Sequence, residues 1–193
     1  MQVATTPKET AQRGRFNVHF ITLLVAGACI AAAGAGAAEA AKARVRLLGA
    51  LRAAFASLMD GMLIGALPLP ALLAQSGTGE KGAVHAAQTL LYETGKNMAE
   101  RPETAFRTAF YATADRLSKG PLRALRQTDL QALAPWLGMI GEGGMDQQRR
   151  ALEGAAAALN RLEQEAEKRL SDDVRLCRTL GLTAGAAVVL LFL

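Results

Sequence analysis

The chain has 193 residues, which is typical of one domain with additions, and about half of them (51%) are hydrophobic. The formal net charge of +5 is moderate, and basic residues are mixed with acidic ones rather than grouped with aromatic residues, which argues against a nucleic-acid-binding protein. The two cysteines, Cys29 and Cys177, are far apart and exclude a disulfide framework or a CxxC motif. Alanine and leucine dominate and β-branched residues are few, so we predict an all-α fold.

The chain begins with a polar stretch and continues into an apolar one. Residues 1–17 predict a disordered lead. Residues 18–38 carry no charge and are long enough for about 31 Å of helix, so they predict a transmembrane helix. The basic lead and the A-x-A site at Ala38-Glu39-Ala40 also fit a cleaved signal peptide, and this alternative stays open. A helical pattern follows at once, which favours a retained span.

Residues 41–175 predict successive helices that are separated by Gly and Pro signals. The first five are expected at Val45 to Ile64, Ala71 to Gln75, Gly82 to Ala99, Glu103 to Leu117 and Leu130 to Ile140, and the sixth is the long terminal helix. Thr128 or Asp129 is expected to cap the fifth helix, and Asp146 the sixth. Short loops between six helices predict an antiparallel bundle. We place Val84 on the core-facing side of the third helix, and Arg44 away from the apolar stripe of the first helix.

The chain ends in a second apolar stretch. No charged residue occurs from Thr179 to Leu193, and residues 176–193 give about 27 Å of helix. This length just spans a bilayer if Arg178 reaches the interface. The alternative is an apolar terminal helix that is buried in the core of a soluble protein. Basic residues between the two apolar stretches predict a cytoplasmic middle domain with both ends outside, by the positive-inside rule, and the three basic residues of the lead, Lys8, Arg13 and Arg15, compete with this orientation.

We find no catalytic or cofactor-binding constellation in the sequence. The segment Gly77 to Gly82 is Gly-rich but lacks the phosphate-loop pattern, and Ser76 and Ser118 have no histidine at a suggestive spacing. The two histidines, His19 and His85, show no metal-ligand spacing. We therefore expect a non-enzymatic interaction protein that needs no metal and no cofactor.

The candidate partner surface combines the glycine-rich turn before the last helix with the polar side of that helix. Its residues are Gly141, Asp146, Gln147, Gln148, Glu163 and Glu167. Alternate carboxylates such as Glu163, Glu165 and Glu167 point to different sides of a helix, so they indicate a solvated surface rather than an acid–base pair.

Four groups of residues, in this order along the chain, carry a family resemblance. They are Leu51-Arg52-Ala53-Ala54 with Leu58, Ile64-Gly65 and Pro68-Leu69-Pro70; Ala105 to Ala109; Leu133 to Gln148; and Leu162 to Ala166 with Arg175 and Leu180 to Gly185. The ordered set resembles the stage III sporulation protein AB family over about residues 20 to 193. The chain departs from the family pattern in its lead, in Phe106 where a Trp is usual, and in the extra Gly143-Gly144.

The resemblance implies a helical bundle similar to the platform proteins of type II secretion and type IV pilus machines. It implies a scaffold in the mother-cell membrane, within the channel that links mother cell and forespore during sporulation. The implied partners are the membrane, other stage III sporulation channel proteins including a cytoplasmic secretion-type ATPase, and further copies of the chain. The alternatives are a platform protein of another pilus or type II secretion system, and an exported, tail-anchored helical domain.

Overall fold

The computed structural model describes residues 36, 38–62, 68–76 and 82–192, with side chains described as far as residue 172. These residues form helices and turns without any strand, which confirms the predicted all-α fold within them. The helices are α1 (residues 38–62), α2 (Leu69–Ala74), α3 (Ala83–Glu100), α4 (Phe106–Leu117), α5 (Gln127–Leu137) and α6 (Met145–Phe192).

The structure describes little of the two predicted membrane segments. The lead at 1–17 and nearly all of 18–38 lie outside the described residues, and of 176–193 only the helical backbone to Phe192 is described. Among the residues that the structure describes, we find no helix with the length and apolar character needed to cross a membrane.

The chain divides into two compact units. One comprises Ala40–Ser171 and is called the helical bundle below; the other comprises Met1–Glu39 and Asp172–Leu193. The core that the structure describes lies within the helical bundle and draws on all six helices.

The apolar stripe of α1 forms one wall of the core, as its spacing predicts. Leu48, Leu51 and Phe55 are fully buried because residues three and four apart share a helix face. The ring of Phe55 lies 6.2 Å from that of Phe110 in α4, and Phe106 lies 5.8 Å from Phe110, both centroid to centroid. Burial of each such side chain stabilises the fold by roughly 1.5–3 kcal/mol, so this aromatic cluster joins α1 firmly to α4.

The bundle part of α6 packs through small residues together with leucines. Ala151 and Ala155 are fully buried, and so is Leu159. Gly154 lies directly under the indole of Trp136, and a Cβ at this position would overlap the ring. The absence of a side chain at Gly154 therefore lets α5 approach α6 closely.

Several predicted helix limits and faces are wrong. Helix α4 begins at Phe106 rather than Glu103, because Pro102 follows Arg101 in a turn closed by the Thr104 N–H bonding to the Arg101 carbonyl. Helix α5 runs from Gln127 through Pro135 to Leu137, so it begins and ends three residues before the predicted limits. Val84 is exposed, and Ala86 and Ala87 face the core from α3 in its place.

Candidate interaction surface

The turn before α6 is shaped by two glycines in a left-handed backbone conformation. The φ angles of Gly141 and Gly143 are +87° and +76°, a region that residues with a Cβ rarely adopt. Gln148 donates from Nε2 to the Gly143 carbonyl over 3.3 Å, which ties the first turn of α6 back to the loop. Residues 141–147 are exposed and Gln148 is half-buried, so the turn is open to solvent.

Asp146 does not cap α6, contrary to the prediction. The carbonyl of Gly144 accepts from the backbone N–H groups of Gln147 and Gln148, so the helix begins before Asp146. Asp146 instead lies in the first turn, where a carboxylate is favoured by the partial positive charge of the helix end.

The acidic residues of the candidate surface have different environments. Glu163 accepts a charge-assisted bond from Arg52 Nε over 2.9 Å, and its side chain is 17% exposed. Its carboxylate lies over Gly49 of α1, where a Cβ would overlap it. Glu167 is exposed, one turn further along α6. At about 1.5 Å per residue, Glu163 lies roughly 25 Å along the helix from Asp146, so the candidate residues form two separate patches.

A buried ion pair joins α1 to α5, and the sequence reasoning missed it. Arg44 donates from Nε to Asp129 Oδ2 over 3.0 Å and from Nη2 to Asp129 Oδ1 over 2.6 Å, in a bidentate arrangement. Asp129 is fully buried and Arg44 is 9% exposed. The placement of Arg44 away from the core was wrong. It precedes Leu47 and Leu48 by three and four residues, and this spacing puts it on the buried stripe.

Asp129 also organises the start of α5. The predicted capping role of Thr128 or Asp129 was wrong in position, since Arg126 is the N-cap residue. Asp129 is the third helical residue, and its Oδ2 accepts from the Arg126 backbone N–H over 3.0 Å. One carboxylate therefore satisfies a free amide of the helix start and the guanidinium of Arg44 together.

The charge on Arg44 is well supported by its surroundings. Its pKa is raised above the ordinary value chiefly by the hydrogen bond to Asp129, with further attraction to the charges of Asp129 and Glu165. Burial lowers the pKa of Arg44, but this effect is smaller than that of the hydrogen bond to Asp129. The pair holds two helices together and presents neither charge as a free group, so its geometry fits a structural role.

An open groove of about 400 Å³ lies beside this pair. Its other lining residues are Arg126, Gln127 and Thr128 at the start of α5, and Leu162, Glu165 and Arg169 on α6. No group of three or more His, Cys, Asp or Glu side chains within the described part of the chain is arranged to hold a metal ion.

A comparison with protein families matches residues 19–193 to a family model described as stage III sporulation protein AB. Comparisons with curated proteins and with solved structures give no match. The matched range includes the whole helical bundle and both predicted membrane segments except Val18.

Proposed function

The chain belongs to the stage III sporulation protein AB family and is a stage III sporulation protein, and from this we propose that it is a membrane platform of a secretion-like channel complex. In this proposal it acts as a scaffold without catalysis in the channel between mother cell and forespore. The observation that carries the proposal is the extent of the family match, which runs through the bundle and both flanking apolar segments rather than through a bundle alone.

The distribution of charge supports a membrane location with the bundle in the cytoplasm. Two apolar segments, uncharged over residues 18–38 and 179–193, flank a domain rich in charged residues, and Arg and Lys residues stand next to both segments on the bundle side. Positively charged flanks are retained on the cytoplasmic side when a membrane protein inserts. Both chain ends would then point into the space between the two cells.

The described helix at the beginning of the bundle supports a retained first segment. Helix α1 runs without a break through Ala38, Glu39 and Ala40, where the A-x-A site lies. A peptidase needs extended backbone, so cleavage here would require local unfolding of this part of α1. An exported form would be recognised by a mature chain that begins near Ala41.

The geometry of the bundle supports a scaffold with an open contact surface. A buried ion pair and an aromatic cluster fix the helices, while the Gly141 turn, Gln147 and Glu167 are exposed. We propose that this turn and the polar side of α6 contact the cytoplasmic secretion-type ATPase or other channel proteins. A homo-oligomer, as in platform assemblies, is compatible with the same surface.

Deletion of the gene in a spore-forming host tests the proposed function. We expect sporulation to stop at stage III and to be restored by the full chain, but not by a chain that lacks residues 1–38. Normal late sporulation after the deletion would overturn the proposal.

A charge reversal then tests the proposed surface. Glu167→Lys should reduce recovery of the ATPase in a pull-down, because it reverses an exposed charge on α6. The matched control is Glu103→Lys, an exposed carboxylate in the turn before α4. Equal recovery with both variants would remove this side of α6 from the partner surface.

A further inference from the structure

The groove beside the Arg44–Asp129 pair lies at the end of the bundle where the chain both enters and leaves it. Arg52 of α1 pairs with Glu163 of α6, while Arg44 shares the groove with Arg169, so the two helices run antiparallel. The bundle begins at Ala40 and ends at Ser171, close in sequence to Arg44 and Arg169 respectively. The groove is therefore next to both connections to the apolar segments.

Two arginines of the groove have no acidic partner among the side chains that the structure describes. Among the described residues, neither Arg126 nor Arg169 has a carboxylate within salt-bridge distance, and both are exposed. Arg44 is already occupied by Asp129. Glu165 is the remaining carboxylate of the groove. Three arginines and two carboxylates line the groove, so it carries one net positive charge, and its arginines without an ion pair in the described part of the chain are Arg126 and Arg169.

We propose that this groove binds the phosphate headgroup of an anionic phospholipid, with Arg126 and Arg169 as the ligands of the phosphate. Guanidinium groups suit this role because their planar donors match phosphate oxygens. Leu162 also lines the groove, where it provides an apolar contact for the glycerol region. The proposal rests on the membrane location proposed above.

The groove lies close in sequence to both apolar segments, and this position indicates a lipid headgroup as its ligand. Ala38 precedes Arg44, and Arg169 precedes residue 176, by so few residues that even a fully extended connection is no longer than about 25 Å. If the apolar segments span a bilayer, this groove stays within reach of its headgroups. The cytoplasmic leaflet is anionic, and each Lys or Arg close to it contributes about 1 kcal/mol of attraction, which corresponds to roughly a fivefold gain in affinity.

The test uses the full chain in detergent with Cys29→Ala and Cys177→Ala and one new cysteine, Thr128→Cys, that carries an environment-sensitive fluorophore. Thr128 lines the groove and is exposed. The probes added are phosphatidylglycerol, phosphatidylcholine, inorganic phosphate and an acidic peptide. We expect a saturable response to phosphatidylglycerol alone, weakened by about 25-fold in Arg126→Gln/Arg169→Gln, because each arginine contributes roughly fivefold.

The matched control is Arg149→Gln/Arg150→Gln, which removes the same charge from exposed positions roughly 30 Å along α6 from Arg169. The proposal is overturned if both double variants respond alike to phosphatidylglycerol, or if inorganic phosphate or the acidic peptide gives the same response as the lipid.

Carbonate extraction of membranes from cells that produce the chain separates this inference from the proposed function. Release of the chain by carbonate contradicts the membrane platform itself, whereas retention without lipid preference contradicts only the headgroup site.

Discussion

At the scale of single residues, Asp129 is the polar group on which the described bundle depends most. It is fully buried, and its two oxygens accept three hydrogen bonds, two from Arg44 and one from the Arg126 backbone. Taking both charges out of water is costly, and the pair is tolerated only because these bonds are short and complete. Removing one partner leaves the other charge buried and uncompensated.

We predict that Asp129→Asn destabilises the full chain by about 3–5 kcal/mol, because Arg44 then loses its counter-ion. Urea denaturation in detergent, followed by the fluorescence of Trp136, measures the change in the free energy of unfolding; this is the only tryptophan of the chain. The control is Glu163→Gln, which breaks the more exposed pair with Arg52 and should cost less than about 1 kcal/mol. Equal effects of the two variants would contradict the structural importance of Asp129.

Tyr111 gives a pH-dependent prediction. Its hydroxyl donates to the Leu130 carbonyl over 2.8 Å, and burial raises the pKa of the phenol despite the opposing charge of Arg107. The folded state therefore disfavours tyrosinate. The contribution of the Tyr111 phenol to the free energy of unfolding is fully present below the ordinary pKa of about 10, and it is lost as pH rises through the raised pKa.

We expect Tyr111→Phe to cost about 1 kcal/mol at pH 8 and to lessen the loss of stability between pH 8 and pH 11. Urea midpoints of both proteins at the two pH values measure this. If the two proteins lose the same stability between pH 8 and pH 11, the burial of the Tyr111 hydroxyl is contradicted.

At the scale of elements, the contact between α5 and α6 depends on a missing side chain. The indole of Trp136 occupies the space where the Cβ of residue 154 would lie. Added atoms in a tight helix contact force side chains off their preferred rotamers or separate the helices.

Gly154→Ala should therefore destabilise the bundle by roughly 1–3 kcal/mol and change the emission of Trp136. Gly138→Ala is the matched control, since a Cβ there meets atoms only at 3.7 Å or beyond and its φ of −71° suits alanine. It should be neutral or slightly stabilising. A Gly154→Ala protein as stable as the control would show that α5 and α6 have room to spare.

The apolar spacing of α1 was enough to predict its buried side, since hydrophobic periodicity follows directly from helix geometry. The start of α5 was not predictable in the same way. Asp129 has the chemistry of a cap residue, but it lies at the third helical position, where it accepts from the Arg126 N–H and also pairs with the distant Arg44. The bond between Arg52 and Glu163 was likewise not predictable from the sequence, because it depends on the packing of α1 against α6. Arg44 and Asp129 were misplaced because each has its partner on another helix.

At the scale of the whole molecule, the family match extends through both flanking apolar segments. The structure describes almost none of their side chains, so the support that they give to the membrane proposal comes from their apolar composition. The helical bundle supplies a rigid domain, and the flanking segments supply the proposed attachment. Placement of the bundle on the cytoplasmic side is the central claim, because contact with a cytoplasmic ATPase requires it.

Cysteine accessibility in intact growing cells tests this claim most directly. Single cysteines are placed at Ser118, which is exposed in the bundle, and after Leu193, in a chain where Cys29 and Cys177 are replaced by alanine. A membrane-impermeant thiol reagent should label the C-terminal position alone, and both positions once the cells are permeabilised. Labelling at Ser118 in intact cells would place the bundle outside the cytoplasm and contradict the platform role.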